Sequence, residues 1–187
     1  MAHLSTEQLE AGAEAVRSSP ADNGTLRLLV RRPAVDEREV LDAGELVVGA
    51  GLVGDNYVER GNAKTPDGAA HPEAQLNLMN ASAVDLVADG DKDRWALAGD
   101  QMFVDLNLSR ANLPTGTRLA IGDAVIEVAA KPHNGCAKFA KRYGKDAARW
   151  VNSDDEQRYR GINAVVVQAG TVRQGDTITK LPSPNDS

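Results

Sequence analysis

The densest concentration of reactive side chains lies in one short stretch, Lys131-Pro132-His133-Asn134-Gly135-Cys136-Ala137-Lys138-Phe139. Cys136 is the only cysteine of the chain, and His133 is one of three histidines. Pro132 and Gly135 make the connection sharp, and the residues after it read as a helix, so Cys136 falls near a helix start. The partial positive charge there favours a thiolate, and Lys138 and His133 add to it. A thiolate is both a nucleophile and a soft metal ligand. His133, three residues earlier, is the candidate base for such a nucleophile. Between residues 131 and 149, six basic residues (Lys131, Lys138, Lys141, Arg142, Lys145 and Arg149) stand against one acid, Asp146. The whole chain carries a net charge of −6. A basic island on an acidic protein points to a specific anion site rather than a polyelectrolyte surface. Phosphate and pterin ligands suit such a site.

A second stretch, Gly49-Ala50-Gly51-Leu52-Val53-Gly54-Asp55-Asn56, is a glycine-rich turn whose backbone can approach a ligand closely. Asp55, His133, Asn134 and Cys136 are therefore expected to converge on one cleft. Plainer readings stand beside these. A lone cysteine is most often a small buried hydrophobe. Lys141 and Lys145 suit the solvated face of an amphipathic helix. His133 can serve as a turn residue, and Asp55 can simply close a turn, as Asp123 and Asp176 are expected to do.

The elements that must position these groups are mostly strands. Residues 5–17 read as a helix, with Ser5 and Gln8 forming a capping box. Residues 1–24 make an N-terminal helical appendage, 25–181 one β-barrel domain, and 182–187 a flexible tail. Strands are expected at 26–30, 40–48 with a bulge or kink at Gly44, 75–79, 102–108, 117–121, 124–128, 163–168 and 171–180. Asn80 caps a helix that ends at Gly90. Residues 136–150 form one helix weakened by Gly144, and 58–74 form a long polar loop. The Gly122-Asp123 and Gly175-Asp176 pairs suggest tight hairpin connections. No regular crossover helices separate the strands, so the fold class is mainly β, a largely antiparallel barrel with a few peripheral helices.

Composition narrows function further. The 187 residues are 42% apolar, enough for a sizeable core, and 4% aromatic. An acidic chain poor in aromatics is a weak candidate for nucleic-acid binding. No apolar run approaches a membrane span, and the N-terminus lacks the features of a signal or transit peptide. With one cysteine and no internal disulfide, a cytoplasmic location is expected. There is no Cys-x-x-Cys, His-Glu-x-x-His, phosphate-loop or dinucleotide fingerprint.

Four stretches in order resemble the MOSC superfamily, the molybdenum-cofactor sulfurase C-terminal domain. They are Gly51-Leu52-Val53-Gly54-Asp55, the 112–122 stretch from Asn112-Leu113-Pro114 to Ala120-Ile121-Gly122, the Pro132–Phe139 cysteine turn, and Arg160-Gly161-Ile162-Asn163-Ala164 running on to Gly175-Asp176. The resemblance implies a β-barrel and a pocket for a molybdenum cofactor, with Cys136 as the metal ligand or as a persulfide carrier. It implies Gly54, Asp55, Lys131, Asn134, Lys138, Arg142 and Arg160 as cofactor-binding residues and Cys136 and His133 as catalytic ones. If the protein is an enzyme, the resemblance suggests a molybdenum-dependent oxidoreductase acting on N-hydroxylated compounds with an external electron donor, or a sulfur transferase independent of pyridoxal phosphate. It would be a stand-alone member. Reductase-type members carry an Arg and an Asn where this chain has Ala98-Gly99-Asp100-Gln101, so a carboxylate stands where a phosphate-meeting cation is expected. Two other classes stay open, a cofactor-free cysteine enzyme and a non-catalytic module for small anionic ligands. Exposed barrel edges permit a homodimer.

Overall fold

Alternation along the strands builds two cores at once. In the computed structural model, which describes residues 3–182, Leu76 and Leu78 of β5 (Leu76–Asn80) point into one apolar cluster while Met79 joins another. On β6 (Met102–Asp105), Met102 and Val104 enter the first cluster and Phe103 the second. Successive side chains of a strand point to opposite faces, so strands apolar on both faces must be covered on both. In β1 (Gly24–Arg31) a register shift between Leu26 and Leu28 adds one residue, so Leu26 and Leu29 share the first cluster and Val30 the second. Without that bulge the run would aim its leucines at the wrong face.

The first cluster fills a barrel. β7 (Arg118–Ile121), β8 (Ala124–Pro132), β9 (Ile162–Gln168) and β11 (Thr177–Lys180) join β1, β5 and β6, and the pairing of β11 with β1 closes a ring of seven strands. β2 (Glu39–Leu41) extends the β1 edge, and β3 (Ala43–Val47), β4 (Gly51–Leu52) and β10 (Gly170–Arg173) form a small second sheet. All pairings are antiparallel except β5 with β6, which α3 (Ala81–Val87) connects. Asn80 caps α3 as expected, its side chain accepting from the Ala83 N–H at 3.0 Å.

The second cluster lies between the barrel wall and the helices. The helix of the N-terminal segment, α1 (Thr6–Arg17), carries the capping box read from Ser5 and Gln8 and buries Leu9, Ala13 and Val16 against α3 and α5 (Lys145–Val151). Trp150 stacks on Tyr159 at 4.5 Å and donates to Glu10, and Arg17 donates to the Tyr159 hydroxyl.

Three local expectations need correction. The expected strand 40–48 is two strands, because the chain leaves the barrel edge at Asp42 and enters the small sheet; Gly44 marks a close approach of Leu52, not a bulge. The helix expected over 136–150 is α4 (Ala137–Tyr143) followed by α5, broken at Gly144, whose φ of 94° few residues other than glycine adopt. Gly175-Asp176 is no hairpin, since β10 and β11 lie in different sheets; only Gly122-Asp123 joins paired strands. The long loop contains a short α2 (Tyr57–Arg60) and a 3-10 turn at Pro72–Ala74. Except for Pro182, the expected tail lies outside the described residues.

Candidate functional site

One mouth of the barrel gathers the C-terminal ends of β1 and β8 and the N-terminal ends of β5, β6 and β9. Two buried ion pairs sit there. Arg32, the residue after β1, donates from Nε and Nη2 to the two Asp55 carboxylate oxygens at 2.8 and 2.7 Å. The same carboxylate accepts the backbone N–H groups of Arg32 and Tyr57, each at 3.0 Å. Glycine at 54, with φ of 80°, makes the turn that returns Asp55 toward Arg32. Arg32 also donates to Asn77 Oδ1 and to the Gly99 carbonyl. Asn77 in turn donates to Asn163, its register partner on β9, and Asn163 donates to the Lys131 and Pro132 carbonyls. This chain of hydrogen bonds ties the end of β1 to the start of the cysteine turn.

The second pair is Asp100 with Arg160. Asp100 is fully buried; both its oxygens accept from Arg160 Nη1, at 2.8 and 2.7 Å, and Oδ1 lies 2.7 Å from His133 Nε2. Arg160 also donates to the Ala98 carbonyl and lies over the Phe139 ring. Left-handed backbone flanks it. Arg158 has φ of 52° and Gly161 φ of 106°, and a Cβ at 161 would collide with the Leu78 carbonyl oxygen. Burial disfavours the charge on Asp100, but Arg160 and His133 outweigh it and hold the carboxyl well below the usual range. Burial, reinforced by Arg160, outweighs the pull of Asp100 and lowers the His133 pKa, so the ring is held toward its neutral form.

Above these pairs opens a cleft of about 560 Å³. Lys131, His133, Asn134, Cys136, Lys138, Arg142 and Arg160 all line it, so seven of the nine expected site residues share one space. Cys136 is exposed, at the N-cap of α4. Asn152 clamps the turn before it through both the N–H and the carbonyl of Gly135. Gly54 and Asp55 do not line the cleft. Gly54 leaves room for the Arg31 side chain, and the Asp55 carboxylate is sealed behind Arg32, so these residues brace the wall rather than face a ligand. Asp100 also differs from expectation. It faces no ligand space, and instead of repelling an anion it fixes Arg160 and His133 at the cleft wall.

Sequence reasoning missed Arg32, Arg38, Arg60 and Lys64, which complete the lining. Eight cationic side chains then face the cleft against one acid, Asp36. Asp55 and Asp100 neutralise Arg32 and Arg160, and Asp36 serves both Lys138 and Arg142. Arg38, Arg60, Lys64 and Lys131 have no acidic partner among the described residues. Burial and then neighbouring cations lower the Arg38 and Arg60 pKa values, Arg142 and Arg32 acting on the first and Arg32 on the second. Among the described residues, the buried side-chain polar atoms without a partner are Arg160 Nε and Asn56 Oδ1, and both residues line this cleft. Such atoms are costly unless a ligand or water meets them. The described residues hold no cluster of three His, Cys, Asp or Glu that could bind a metal ion, and no helix long and apolar enough to cross a membrane.

The profile of the MOSC domain family matches residues 65–179. No curated protein matches the chain. Among solved structures, the YuaD protein of Bacillus subtilis superposes with a TM-score of 0.59 at 15% identity, covering 83% of this chain and 94% of that one. YiiM of Escherichia coli gives 0.56 at 18% identity, covering 87% of this chain and 72% of that one. A further crystal structure, described only as a hypothetical protein, gives 0.59 at 19% identity over 88% of this chain and 71% of that one. At these identities the likeness is one of fold.

Proposed function

The chain belongs to the MOSC domain family, and we propose that its cleft binds a pterin-type anion, the molybdenum cofactor, with Cys136 as the thiolate ligand of the metal. The observation that carries this reading is the set of four cations without an acidic partner among the described residues, Arg38, Arg60, Lys64 and Lys131, in one cleft with the only cysteine. Like charges held together in a partly desolvated cleft repel one another, and a phosphate relieves that repulsion. The donor set fits the group. Guanidinium and ammonium groups line the cleft, and Cys136 is an exposed soft ligand. With no protein cluster able to hold a metal ion among the described residues, a metal bound here would arrive with most of its own ligands.

In this reading the guanidinium and ammonium groups hold the phosphate, and Arg32 and Arg160 keep fixed positions because Asp55 and Asp100 hold them from behind. His133 and Asn134 contact the ligand beside Cys136. When bound, the cofactor would supply two-electron oxygen-atom chemistry, which needs an external electron donor. A second reading, sulfur carriage as a Cys136 persulfide, is favoured by the exposure of the thiol. A cytoplasmic location belongs to both readings, since each needs a reduced thiol.

Expression in a host that makes the molybdenum cofactor tests the proposal. Purified protein should contain molybdenum and release an oxidised, fluorescent pterin, and Cys136→Ser should lose the metal while keeping its fold. Arg60→Glu combined with Lys64→Glu should lose the pterin as well. A mass gain of one sulfur atom on Cys136, without pterin, would instead support the carrier. Protein with neither pterin nor added sulfur would sink both readings.

A further inference from the structure

His133 makes one hydrogen bond through Nε2, to a carboxylate that is fully buried and doubly engaged by Arg160. An ionised carboxylate only accepts, so Nε2 must carry the proton. A neutral ring then has a lone pair at Nδ1. Nδ1 has no protein partner among the described residues and is not among the fully buried unpartnered atoms, and the His133 ring lines both this cleft and the pocket beside it. The cations around it offer donors only. A ligand that was purely an acceptor, such as a fully deprotonated oxyanion, would satisfy the cations and leave Nδ1 unmatched. We propose that Asp100 is a positioning residue that locks His133 as the Nε2–H tautomer, making Nδ1 a fixed acceptor that selects anions carrying their own O–H or N–H donor.

The proposal rests on the cleft being an anion site, as inferred above, but not on the identity of the cofactor. It explains why one carboxylate serves both a cation and a histidine. Arg160 supplies attraction to the anion, His133 reads its proton, and Asp100 holds the two in register. It also gives Asp100 a purpose at a position where an arginine was expected. Binding sites that pair a buried acceptor with a ligand proton discriminate strongly, because the unprotonated analogue leaves the acceptor unmatched and brings two lone pairs together.

Inorganic phosphate and sulfate provide the test, because at neutral pH phosphate retains an O–H and sulfate does not. Calorimetry at matched ionic strength should show phosphate bound at least about tenfold more tightly than sulfate. His133→Phe should abolish the preference, because phosphate loses its acceptor and sulfate is freed from the lone-pair conflict. Nitrogen-15 NMR of the wild-type protein should show a pyridine-type Nδ1 and a pyrrole-type Nε2 for His133, assigned by comparison with His133→Phe. Asp100→Asn should blur that pattern into a tautomer mixture. Equal affinity for the two anions, no binding of either, or a protonated Nδ1 would overturn the proposal, and so would an unchanged tautomer in folded Asp100→Asn. If Asp100→Asn fails to fold, the wild-type spectrum and the His133→Phe titration still decide. Phosphate preference in protein that never carries pterin would leave this inference standing and remove only the cofactor reading.

Discussion

Asp55→Ala offers the sharpest separation of bracing from binding. The Asp55 side chain is 0% exposed and that of Arg32 6%, and the carboxylate accepts two guanidinium and two backbone hydrogen bonds. Removing one partner of a buried ion pair costs about 3–5 kcal/mol, because the other charge remains without compensation. Arg32 keeps two neutral acceptors, Asn77 Oδ1 at 3.1 Å and the Gly99 carbonyl at 2.9 Å, which holds the ion-pair loss near the lower bound. The Arg32 and Tyr57 N–H groups also lose their acceptor, at about 1 kcal/mol for the two together where water can reach the turn. The expected loss is therefore about 4 kcal/mol, or about 8–16 °C in midpoint for a chain of this size. Urea unfolding with an unchanged slope measures it. The companion variant, Arg32→Met with Asp55→Leu, should recover to within about 1–2 kcal/mol of wild type, since apolar groups of similar volume replace buried ion pairs at little cost. Yet it should bind phosphate more weakly, having lost a cation of the cleft wall. A loss below about 1 kcal/mol for Asp55→Ala, or a double variant no more stable than the single one, would refute the view of Asp55 as the buried brace of Arg32.

Acid should weaken the fold in two stages. His133 titrates below its ordinary 6.5 in the folded protein, so the unfolded chain takes up its proton first, and stability falls as pH drops below that value toward the folded one. Asp100 titrates below its ordinary 3.8, so its contribution is complete above that value and is lost as pH falls further toward the folded one. Denaturation at a series of pH values should show both stages, with the first absent in His133→Gln; stability that rises on acidification below about pH 6 would contradict this. Gly161→Ala should cost at least about 2 kcal/mol, through positive φ and the clash with the Leu78 carbonyl, and should weaken anion binding by moving Arg160. Wild-type stability in that variant would mean the backbone there yields freely.

How much the sequence revealed follows from where each signal lives. Local chemistry was legible. The Ser5 and Gln8 capping box, the Asn80 cap and the Gly122-Asp123 hairpin all form where short-range hydrogen bonds and turn geometry require. The cysteine turn was legible because a proline, a glycine and six basic residues stand close together in the chain. The far wall of the cleft was not. Arg31 and Arg32 are adjacent at a strand end, and nothing local tells which one turns inward. Arg31 pairs with Glu39 at the surface, and Arg32 pairs with Asp55, 23 residues away. The choice is made by the alternation of β1 after its bulge, which depends on tertiary pairing with β6. Asp100 shows the same limit from the other side. Read against a motif, its negative charge argued against an anion site. In the structure it faces inward, and burial turns its charge from a repulsion into the fixture that holds a cation and a histidine at the cleft. One clue was available in the strands themselves. Asn77 interrupts the apolar run from Leu76 to Met79, and Asn163 stands between Ile162 and Ala164. Polar side chains in strands buried on both faces must find partners. These two find each other, Arg32 and the cysteine turn, and so mark the barrel mouth where the chemistry is assembled.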